Sequence, residues 1–487
     1  MKILPDYSRV KEIASSKKYD VIPVSTEILS DFTTPIEAMR ILKNVSTHCY
    51  MLESAQANET WGRYTFLGFE PKMEITCVDG EMTLGKLKVR TDDPSSYLRQ
   101  ILSEYKSPRF DYLPPFTGGL VGYFSYDYLA YSEPSVKRAV EDNENFKDVD
   151  MMLFDKVIAF DHLGQKIILI VNMPLDDVQV GYNKAVMELE QLKALLKNGT
   201  KKTEPAGKLL GKVEPLFDKD QFCAMVEKAK RHIYEGDIFQ IVLSNRLSAP
   251  FEGSLLNTYR VLRTINPSPY MFYFSGTDVE VAGASPETLV KLEDGVLHTF
   301  PLAGTRPRGK TEEEDKALKK ELLCDEKELA EHNMLVDLGR NDLGRISRFG
   351  TVQVEKLHSV ERFSHVMHIG STVRGEIRED RDALDAIEAV LPAGTLSGAP
   401  KIRACQLIGE LENNKRGIYG GAIGYIDFSG NMDTCIAIRI AYKKNGKVFV
   451  RSGAGIVADS DPVKEYEECL NKVRASLTAL EIAQEVE

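Results

Sequence analysis

The sequence predicts a protein that mixes α-helices and β-strands, and three observations indicate this class. Apolar runs of strand length occur in succession at KVIAFD (156–161) and KIILIVNM (166–173), which predicts a hairpin. A segment with helical periodicity follows at 182–198. The chain of 487 residues exceeds what one ordinary hydrophobic core organises, so two domains, or one unusually large one, are expected.

Two earlier segments also predict regular structure. VRTDDPSSYLRQILSEYKS is typical of a loop that leads into a helix. FTGGLVGYFSYDY (116–128) is rich in glycine and aromatic residues and is typical of a strand. The N-terminal part of the chain is therefore expected to combine short strands with turns and a few helices.

The boundary between the domains is predicted from composition. The stretch NGTKKTEPAGKLLGK is polar and contains glycine and proline, as linkers do. From Phe217 onward, helical patterns, β runs and glycine turns become denser. We expect an N-terminal domain at 1–200, a linker at 201–214 and a second domain at 215–487.

Composition excludes several functional classes. The formal charge of -11 argues against a general nucleic-acid binder, which carries a basic stripe. No apolar run is long enough to cross a membrane, and the N-terminus lacks the apolar region of a signal peptide. The seven cysteines are scattered and form no CxxC pair, as in proteins that keep reduced thiols. We expect a cytoplasmic protein without nucleic-acid or membrane partners.

Paired glutamates occur in two predicted helices. In KELAEHNMLVDLGRNDLGRI (327–346), an apolar stripe predicts a helix that presents Glu328 and Glu331 on one face. Near the C-terminus, Asp461-Pro462 predicts a helix start, and Glu465 and Glu468 repeat the spacing. Four carboxylates that meet across a cleft suit Mg²⁺, which prefers hard oxygen ligands. The alternative is a pair of solvated acidic helix faces.

His368 is one of only eight histidines and lies in HVMHIGSTVRGEI, among apolar residues. A histidine in an apolar strand is commonly a satisfied core residue. The functional alternative is a general acid or base, because its unperturbed pKa lies near neutrality.

Three segments are suited to an anion. In FPLAGTRPRG (300–309), a strand-like run breaks at a glycine and is followed by a threonine and two arginines. In VRSGAGIVADSDP (450–462), a turn of small residues at 453–455 lets backbone amides approach an anion. Arg439, expected in a central strand, requires a carboxylate partner, which is either the ligand or the protein's own side chain. With the carboxylates, these segments indicate a small, multiply carboxylated substrate bridged to Mg²⁺.

The second domain resembles the chorismate-binding enzyme family. The matching motifs occur in the family's order and include QIVLSNR, GASPETLV, PLAGTRPRG, KELAEHNMLVDLGRND, HVMHIGSTVRG, LPAGTLSGAPK, TCIAIRIA, RSGAGIVADSDP and EYEECLNKVRA. The resemblance implies an α+β fold with two stacked central β-sheets, outer helices and an N-terminal regulatory domain. Within the family, the chain is most similar to the large subunits that make anthranilate from chorismate and ammonia.

Two positions distinguish this subgroup. Gln240 stands where water-using members carry a lysine that activates water, and Ala303 stands where many aminodeoxychorismate-forming members carry a lysine. The resemblance therefore implies ammonia as the nucleophile, followed by pyruvate elimination. Synthases that stop at aminodeoxychorismate or aminodeoxyisochorismate remain alternatives.

The resemblance implies a role for each matching residue. Glu331 and Glu468 would bind Mg²⁺, with Glu328 and Glu465 acting beside them directly or through water. Glu287, His368 and Thr305 form the catalytic set. The residues implied in chorismate binding are Gly304, Thr305, Tyr419, Arg439, Gly453, Ala454, Gly455 and Lys472. Arg306 and Arg308 are expected to brace the loop by ion pairs.

The resemblance also implies partners. No cysteine lies in a GxCxG-type nucleophile elbow, so ammonia would come from a separate glutamine amidotransferase subunit (component II), commonly in a heterotetramer. MLESA (51–55) and NPSPYMFYF are similar to a tryptophan feedback site. Its expected residues are Glu53, Ser54, Pro269, Tyr270 and Met271.

Overall fold

The computed structural model describes residues 2–55, 62–136, 142–362 and 366–486. In these residues the chain forms two antiparallel β-sheets that pack face to face, with helices on their outer faces. The predicted α+β class with two stacked central sheets is therefore confirmed.

The described strands are β1 (Ile3–Leu4), β2 (Val21–Leu29), β3 (Cys49–Glu53), β4 (Tyr64–Phe69), β5 (Met73–Val78), β6 (Glu81–Leu84), β7 (Leu87–Arg90), β8 (Gly119–Phe124), β9 (Val149–Phe154), β10 (Lys156–Asp161), β11 (Lys166–Pro174), β12 (Lys208–Leu209), β13 (Glu214–Pro215), β14 (Gln240–Glu252), β15 (Tyr270–Ser275), β16 (Glu280–Ser285), β17 (Thr288–Glu293), β18 (Val296–Thr299), β19 (Leu302–Pro307), β20 (Gln353–Arg362), β21 (Val366–Glu376), β22 (Gly398–Ala399), β23 (Ala422–Asp427), β24 (Met432–Ile436), β25 (Ile440–Lys444) and β26 (Lys447–Ile456).

The described α-helices are α1 (Tyr7–Ser15), α2 (Pro35–Val45), α3 (Pro94–Ser103), α4 (Leu129–Ser132), α5 (Val178–Asn198), α6 (Lys219–Tyr234), α7 (Leu256–Ile265), α8 (Glu312–Cys324), α9 (Glu326–Gly344), α10 (Ala383–Val390), α11 (Lys401–Glu412) and α12 (Pro462–Ile482). In this part of the chain, none of the helices has both the length and the apolar character that crossing a membrane requires.

Sheet I has the strand order β1-β2-β11-β10-β4-β3-β15-β16-β25-β26-β14-β12, and β13 and β22 also pair with β14. Sheet II has the order β19-β21-β18-β17-β24-β23-β8-β9-β5-β6-β7, and β20 pairs with β21. Both sheets combine strands from either side of the predicted linker, since β3 pairs with β15 and β8 pairs with β23. The division into domains at 201–214 stays a prediction.

Alternation along the central strands explains why the sheets stack. Successive side chains of a strand point to opposite faces. In β10, Val157 and Ala159 pack between the two sheets, whereas Ile158 and Phe160 pack under the outer helices. A strand buried on both faces has no polar side, which is why KVIAFD is an almost continuous apolar run.

The predicted helix α12 begins at its expected cap. The Asp461 side chain accepts hydrogen bonds from the amides of Val463 and Lys464, and Pro462 occupies the first turn, where it costs no hydrogen bond. Helix α9 is capped in the same way by Asp325. These caps determine where each helix begins, and therefore in which turn of the helix its pair of glutamates lies.

Two of the places where the chain passes directly from one sheet to the other bear on the site. From β16 to β17 it crosses at 286–287, and from β24 to β25 it crosses at 437–439. Arg439 therefore lies between strands, with a φ of 53°, and its expected place in a central strand is wrong. A left-handed conformation is uncommon for a residue with a side chain and here aims Arg439 away from the strand direction.

Two expected turns also proved to be strands. Residues 453–455 continue β26, which pairs with β14 through Gly453 and Gly455. Gly304 lies within β19, where the register against β21 shifts and its φ is +68°. Such a bulge redirects neighbouring side chains, and glycine adopts this φ without a steric penalty.

Candidate active site

A cavity of about 840 Å³ opens between α9, α12, the bulge of β19 and the two crossovers. It gathers nearly all of the catalytic, substrate and metal residues expected from sequence. Its walls include Glu287, Gly304, Thr305, Glu328, Glu331, His368, Tyr419, Arg439, Gly453, Gly455, Glu465, Glu468 and Lys472.

Ala454 is the one expected substrate residue that does not line this cavity. Its side chain is fully buried in a hydrophobic cluster that also contains Cys469, and its backbone is paired with Leu243 in the sheet. The alternation of β26 turns Gly453 and Gly455 to the cavity and Ala454 away from it.

The two cavity glycines leave no room for side chains. A Cβ at Gly453 would lie 3.1 Å from the Tyr419 hydroxyl, and a Cβ at Gly455 would lie 2.8 Å from Nε2 of Gln240. Any other residue would push these polar groups aside. These glycines therefore let a ligand approach the strand closely, and they do not form a turn that reverses the chain.

His368 is held by the β19 bulge. Its Nδ1 lies 2.9 Å from the carbonyl oxygen of Gly304 and 3.1 Å from Oγ1 of Thr305. Because a carbonyl only accepts hydrogen bonds, Nδ1 carries the proton and Nε2 is the basic nitrogen of the neutral ring. Burial lowers the pKa of His368, and the Arg439 charge lowers it further, so the ring is neutral at pH 7.

Glu287 is a buried carboxyl in the first crossover. Burial raises its pKa to about 8, against the opposing effects of a hydrogen bond from Thr395 and the charge of Arg439. Oγ1 of Thr395 lies 3.2 and 3.3 Å from the two carboxyl oxygens. A carboxyl that is still protonated near neutral pH is suited to act as a general acid.

Arg439 has a free guanidinium. Within the described residues it makes no hydrogen bond or ion pair with another side chain. Burial lowers its pKa, although the Glu287 charge acts in the opposite direction. The first alternative from sequence, an anionic ligand as partner, is therefore favoured over a carboxylate of the protein.

Four glutamates form an acidic wall. Burial raises the pKa of Glu331, and so does the nearby charge of Glu328, while a hydrogen bond from Gln240 lowers it. Burial also raises the pKa of Glu465, with the Glu468 charge adding to the effect. Like charges that raise one another's pKa favour a cation between them.

The acidic wall fits a magnesium ion that is shared with a ligand. Among the described residues, one group of three possible ligand side chains has all its donor atoms within 4.8 Å of one another, namely His232, Glu235 and Asp237. This group lies at the surface, and Arg403 already binds Asp237. The cavity glutamates are spread more widely and do not form a closed cage. Magnesium commonly binds through one or two carboxylates, waters and substrate oxygens, so the donor set suits it.

Lys472 joins the acidic wall to the glycine strand. Its Nζ lies 2.7 Å from Oε1 of Glu468 and donates to the carbonyl oxygen of Gly453 at 3.0 Å. Lys472 thus places a positive charge beside the acidic wall, next to the glycine strand.

The two arginines of PLAGTRPRG make ion pairs with protein side chains. Arg306 binds Glu321 and Asp325 at 2.8 Å and Glu328 at 3.4 Å. Arg308 binds Asp315 at 2.7 Å. These pairs tie β19 to α8 and α9, which is the bracing expected from sequence.

Sequence analysis gave no role to Thr395 or to the buried Arg451. Thr395 contacts Glu287, and Arg451 lies behind Tyr419 with its guanidinium 6.0 Å from the ring centre. Arg451 is neutralised by Glu412, which Arg416 also binds. The glycine-rich loop LPAGTLSGAPK was the available signal for Thr395, but only the fold brings it to Glu287.

A second cavity, of about 610 Å³, lies between the sheets where β3 pairs with β15. All five residues expected at the tryptophan site line it, namely Glu53, Ser54, Pro269, Tyr270 and Met271. Aromatic rings of Tyr64, Phe66 and Tyr425 form other parts of its wall. The carboxylate of Glu53 is bound by Arg263 at 2.6 Å and by the Tyr259 hydroxyl.

The stacked sheets and the first cavity, which gathers acidic and basic side chains, are typical of an enzyme that acts on a small molecule. A sequence model of the chorismate binding enzyme family matches residues 47–478, which is most of the chain. The chain belongs to the chorismate binding enzyme family.

Individual relatives give a narrower similarity. Anthranilate synthase component 1 from Acetivibrio thermocellus is 45% identical over 99% of both chains. The protein of that name from Aquifex aeolicus is 46% identical over 96% of this chain and 97% of its own. The crystal structure of anthranilate synthase component I from Streptococcus pneumoniae TIGR4 superposes with a TM-score of 0.78, at 38% identity, over 92% of this chain and 98% of the other.

Proposed function

We propose that the chain is the large (component I) subunit of an anthranilate synthase. It would aminate chorismate with ammonia in the presence of Mg²⁺, then eliminate pyruvate to give anthranilate, the first step of tryptophan biosynthesis. The observation that carries this proposal is that a protonated carboxyl, Glu287, and a free guanidinium, Arg439, face the same cavity. The similarity to component 1 proteins over the full chain supports it.

Chorismate carries two carboxylates, and the cavity offers separate cationic and amide groups for them. Arg439 and the Tyr419 hydroxyl bind one carboxylate, and Lys472 with the amides near Gly453 and Gly455 binds the enolpyruvyl side chain. Thr305 and Gly304 contact the substrate from the β19 bulge.

Glu331 and Glu468 would hold Mg²⁺ directly, with Glu328 and Glu465 beside them. When bound, the ion supplies positive charge that orients and neutralises the ring carboxylate. The four glutamates otherwise repel one another and an anionic substrate, so they keep the substrate carboxylate out until a cation is present.

The amination step needs an acid at the C4 hydroxyl. Ammonia attacks C2 of chorismate, the ring double bonds shift, and the C4–oxygen bond breaks as Glu287 protonates the hydroxyl, which leaves as water. The ammonium group formed at C2 then loses one proton, which balances the proton that Glu287 gave. The Thr395 hydrogen bond orients both carboxyl oxygens of Glu287 and stabilises the carboxylate that remains.

The elimination step needs a base near C2. Loss of the C2 proton and departure of the enolpyruvyl group as pyruvate make the ring aromatic. His368 assists this step with Nε2, the nitrogen that lacks a proton, while Gly304 and Thr305 hold the ring at Nδ1.

Gln240 suits ammonia as the nucleophile. Its amide oxygen is buried and accepts no hydrogen bond from the described residues, while its amide group hydrogen-bonds Glu331. That oxygen is an acceptor for an ammonia N–H, and an amide has no basicity to activate water. Ala303 offers no amine for a covalent intermediate.

Two partners complete the proposal. A separate glutamine amidotransferase, component II, supplies ammonia, and two copies of each subunit form a heterotetramer. Tryptophan occupies the second cavity, where the aromatic wall receives its indole and Glu53 receives its amino group, and inhibits the enzyme from there.

The test is the ratio of products. The purified chain is supplied with chorismate, MgCl₂ and an ammonium salt, and chorismate, anthranilate and pyruvate are measured by chromatography. Equal amounts of anthranilate and pyruvate support the proposal. Consumption of chorismate without pyruvate would instead indicate an aminodeoxychorismate or aminodeoxyisochorismate synthase, and omission of the ammonium salt is the control.

A further inference from the structure

Four residues, Ser285–Thr288, join the two sheets, and we call them the crossover segment. β16 of sheet I ends at Ser285, and β17 of sheet II begins at Thr288. Between them, Pro286 and Glu287 line the first cavity. Across β15 and β16, Ser285 is paired with Tyr270, which lines the second cavity. One short stretch of backbone therefore lines the first cavity and is paired with a strand residue that lines the second.

A hydrogen-bonded group attaches the crossover segment to the second cavity. The Tyr270 hydroxyl lies 2.9 Å from Oγ1 of Thr288 and donates to Oδ1 of Asp433 at 2.8 Å. Tyr270 and Asp433 both line the second cavity, whereas the Thr288 side chain is buried. Thr288 directly follows Glu287, so a shift of the Tyr270 hydroxyl acts one residue away from the proposed acid.

Strand β24 holds the same segment from the other side. The amide of Ile436 donates to the carbonyl oxygen of Glu287 at 3.0 Å, and the Ser285 hydroxyl donates to the carbonyl oxygen of Ile436 at 2.6 Å. The neighbouring Cys435 lines the second cavity and is paired with Thr288. The backbone of Glu287 is thus bound to Ile436, whose neighbour Cys435 lines the second cavity.

We propose that the crossover segment couples the two cavities, with Tyr270 and Thr288 as the coupling pair that transmits movement in the second cavity to Glu287. This inference rests on the proposed regulation by tryptophan. In this structure Tyr270 contacts Thr288, and Glu287 is bound by Thr395. A ligand in the second cavity that displaces the Tyr270 hydroxyl pulls Thr288 with it through their hydrogen bond and favours a second arrangement, in which the segment moves and Glu287 leaves Thr395. The ligand inhibits to the extent that it binds this second arrangement more tightly.

The hydroxyl of Thr288 can be removed with little change of shape. In T288V the tyrosine keeps its bond to Asp433 and its strand pairing with Ser285, but its hydroxyl bond to residue 288 is lost. We expect T288V to keep ammonia-dependent anthranilate formation and to bind tryptophan with a Kd within about threefold of wild type. The tryptophan concentration for half inhibition rises by about tenfold or more, because the coupling and not the binding is lost.

Thr434 provides a matched control. It is a buried threonine on the same pair of strands, and its hydroxyl donates to the carbonyl oxygen of Val290 at 2.8 Å, away from Tyr270. T434V should leave both the Kd and the inhibition within about threefold of wild type. Y270F, which removes the hydroxyl from the other end of the bond, should weaken inhibition as T288V does, and its Kd is measured by calorimetry. It also serves as the second variant should T288V fail to fold.

The outcomes separate this inference from the proposed function. If tryptophan inhibits T288V and Y270F at the same concentrations as wild type, the assignment of Tyr270 and Thr288 as the coupling pair is wrong. A route through β18 and β19 is then favoured, because Phe300 lines the second cavity and Leu302 lines the first. Equal loss of inhibition in T434V also overturns it, since general loosening of the strands would then be the cause. A wild-type chain that makes anthranilate but ignores tryptophan overturns the proposed regulation and this inference with it. Absence of anthranilate from wild type overturns the proposed function itself.

Discussion

Thr395 and Glu287 lie 108 positions apart in sequence, yet the threonine hydroxyl is within 3.3 Å of both carboxyl oxygens of the glutamate. The glutamate comes from a crossover between the sheets, and the threonine comes from the loop before α11. Burial keeps the carboxyl protonated near neutral pH, while the hydroxyl favours the ionised form. The pair thus sets the pH at which the proposed acid works.

The pH dependence of turnover follows from this pair. Because the pKa of Glu287 is raised to about 8, the acid is protonated below that pH and lost above it. With the concentration of free ammonia held constant, kcat/KM for chorismate should fall above a pH of about 8. E287Q should lower kcat by about 10²- to 10⁴-fold and remove this decline.

T395V tests the hydrogen bond directly. The substitution removes a hydrogen bond that stabilises the ionised carboxylate of Glu287, so the pKa of Glu287 should rise. The fall of kcat/KM at alkaline pH should therefore move to higher pH. A decline that stays in place in T395V and E287Q would show that another group titrates.

Substitution E331Q tests the acidic wall. It removes one charge from the proposed metal site and should abolish Mg²⁺-dependent anthranilate formation, while tryptophan still binds the second cavity. E326Q is the matched control, since Glu326 lies exposed in the first turn of the same helix. Calorimetric titration with MgCl₂ should show weaker binding in E331Q only. Turnover that survives in E331Q would contradict the assignment of Glu331.

R439K tests the free guanidinium. Lysine keeps the charge but not the planar fork, so KM for chorismate should rise by about 10- to 100-fold, the range expected for losing a hydrogen bond to a charged group. R340Q, in an exposed ion pair with Asp337, is the control and should leave KM unchanged. An unchanged KM in R439K would place the substrate carboxylates elsewhere.

G453A tests the need for close approach. The added Cβ would lie 2.8 Å from the carbonyl oxygen of Leu243 and 3.1 Å from the Tyr419 hydroxyl, so chorismate binding should weaken by about tenfold as the wall shifts. G344A, with no atom within 4 Å of the new Cβ, should have no effect on binding. Fluorescence or calorimetric titration with chorismate in the absence of ammonia measures both. Equal affinities would show that the strand has room for a side chain.

Local patterns predicted the helices well. The apolar stripe of α9 and the Asp-Pro start of α12 are local signals, and both helices form where these signals place them. The hairpin of β10 and β11 was equally predictable, because each strand is a continuous apolar run. Both predictions succeeded because the cause of each structure lies within a few residues of it.

The errors arose where the fold and not the neighbouring sequence sets the conformation. Small residues at 453–455 resemble a turn, but their role is to leave space beside Tyr419 and Gln240 within a strand. Arg439 lies in an apolar run, but the chain changes sheets there. No local pattern predicts where the chain passes from one sheet to the other, or that Thr395 contacts Glu287, because both depend on how the two sheets stack.

The central claim is that the first cavity aminates chorismate without help from another chain. The most direct measurement is anthranilate fluorescence after the purified chain is mixed with chorismate, MgCl₂ and an ammonium salt at mildly alkaline pH, with and without tryptophan. The account predicts a rising signal that tryptophan suppresses and that disappears when the metal is chelated. Chorismate that remains unconsumed under these conditions would contradict it.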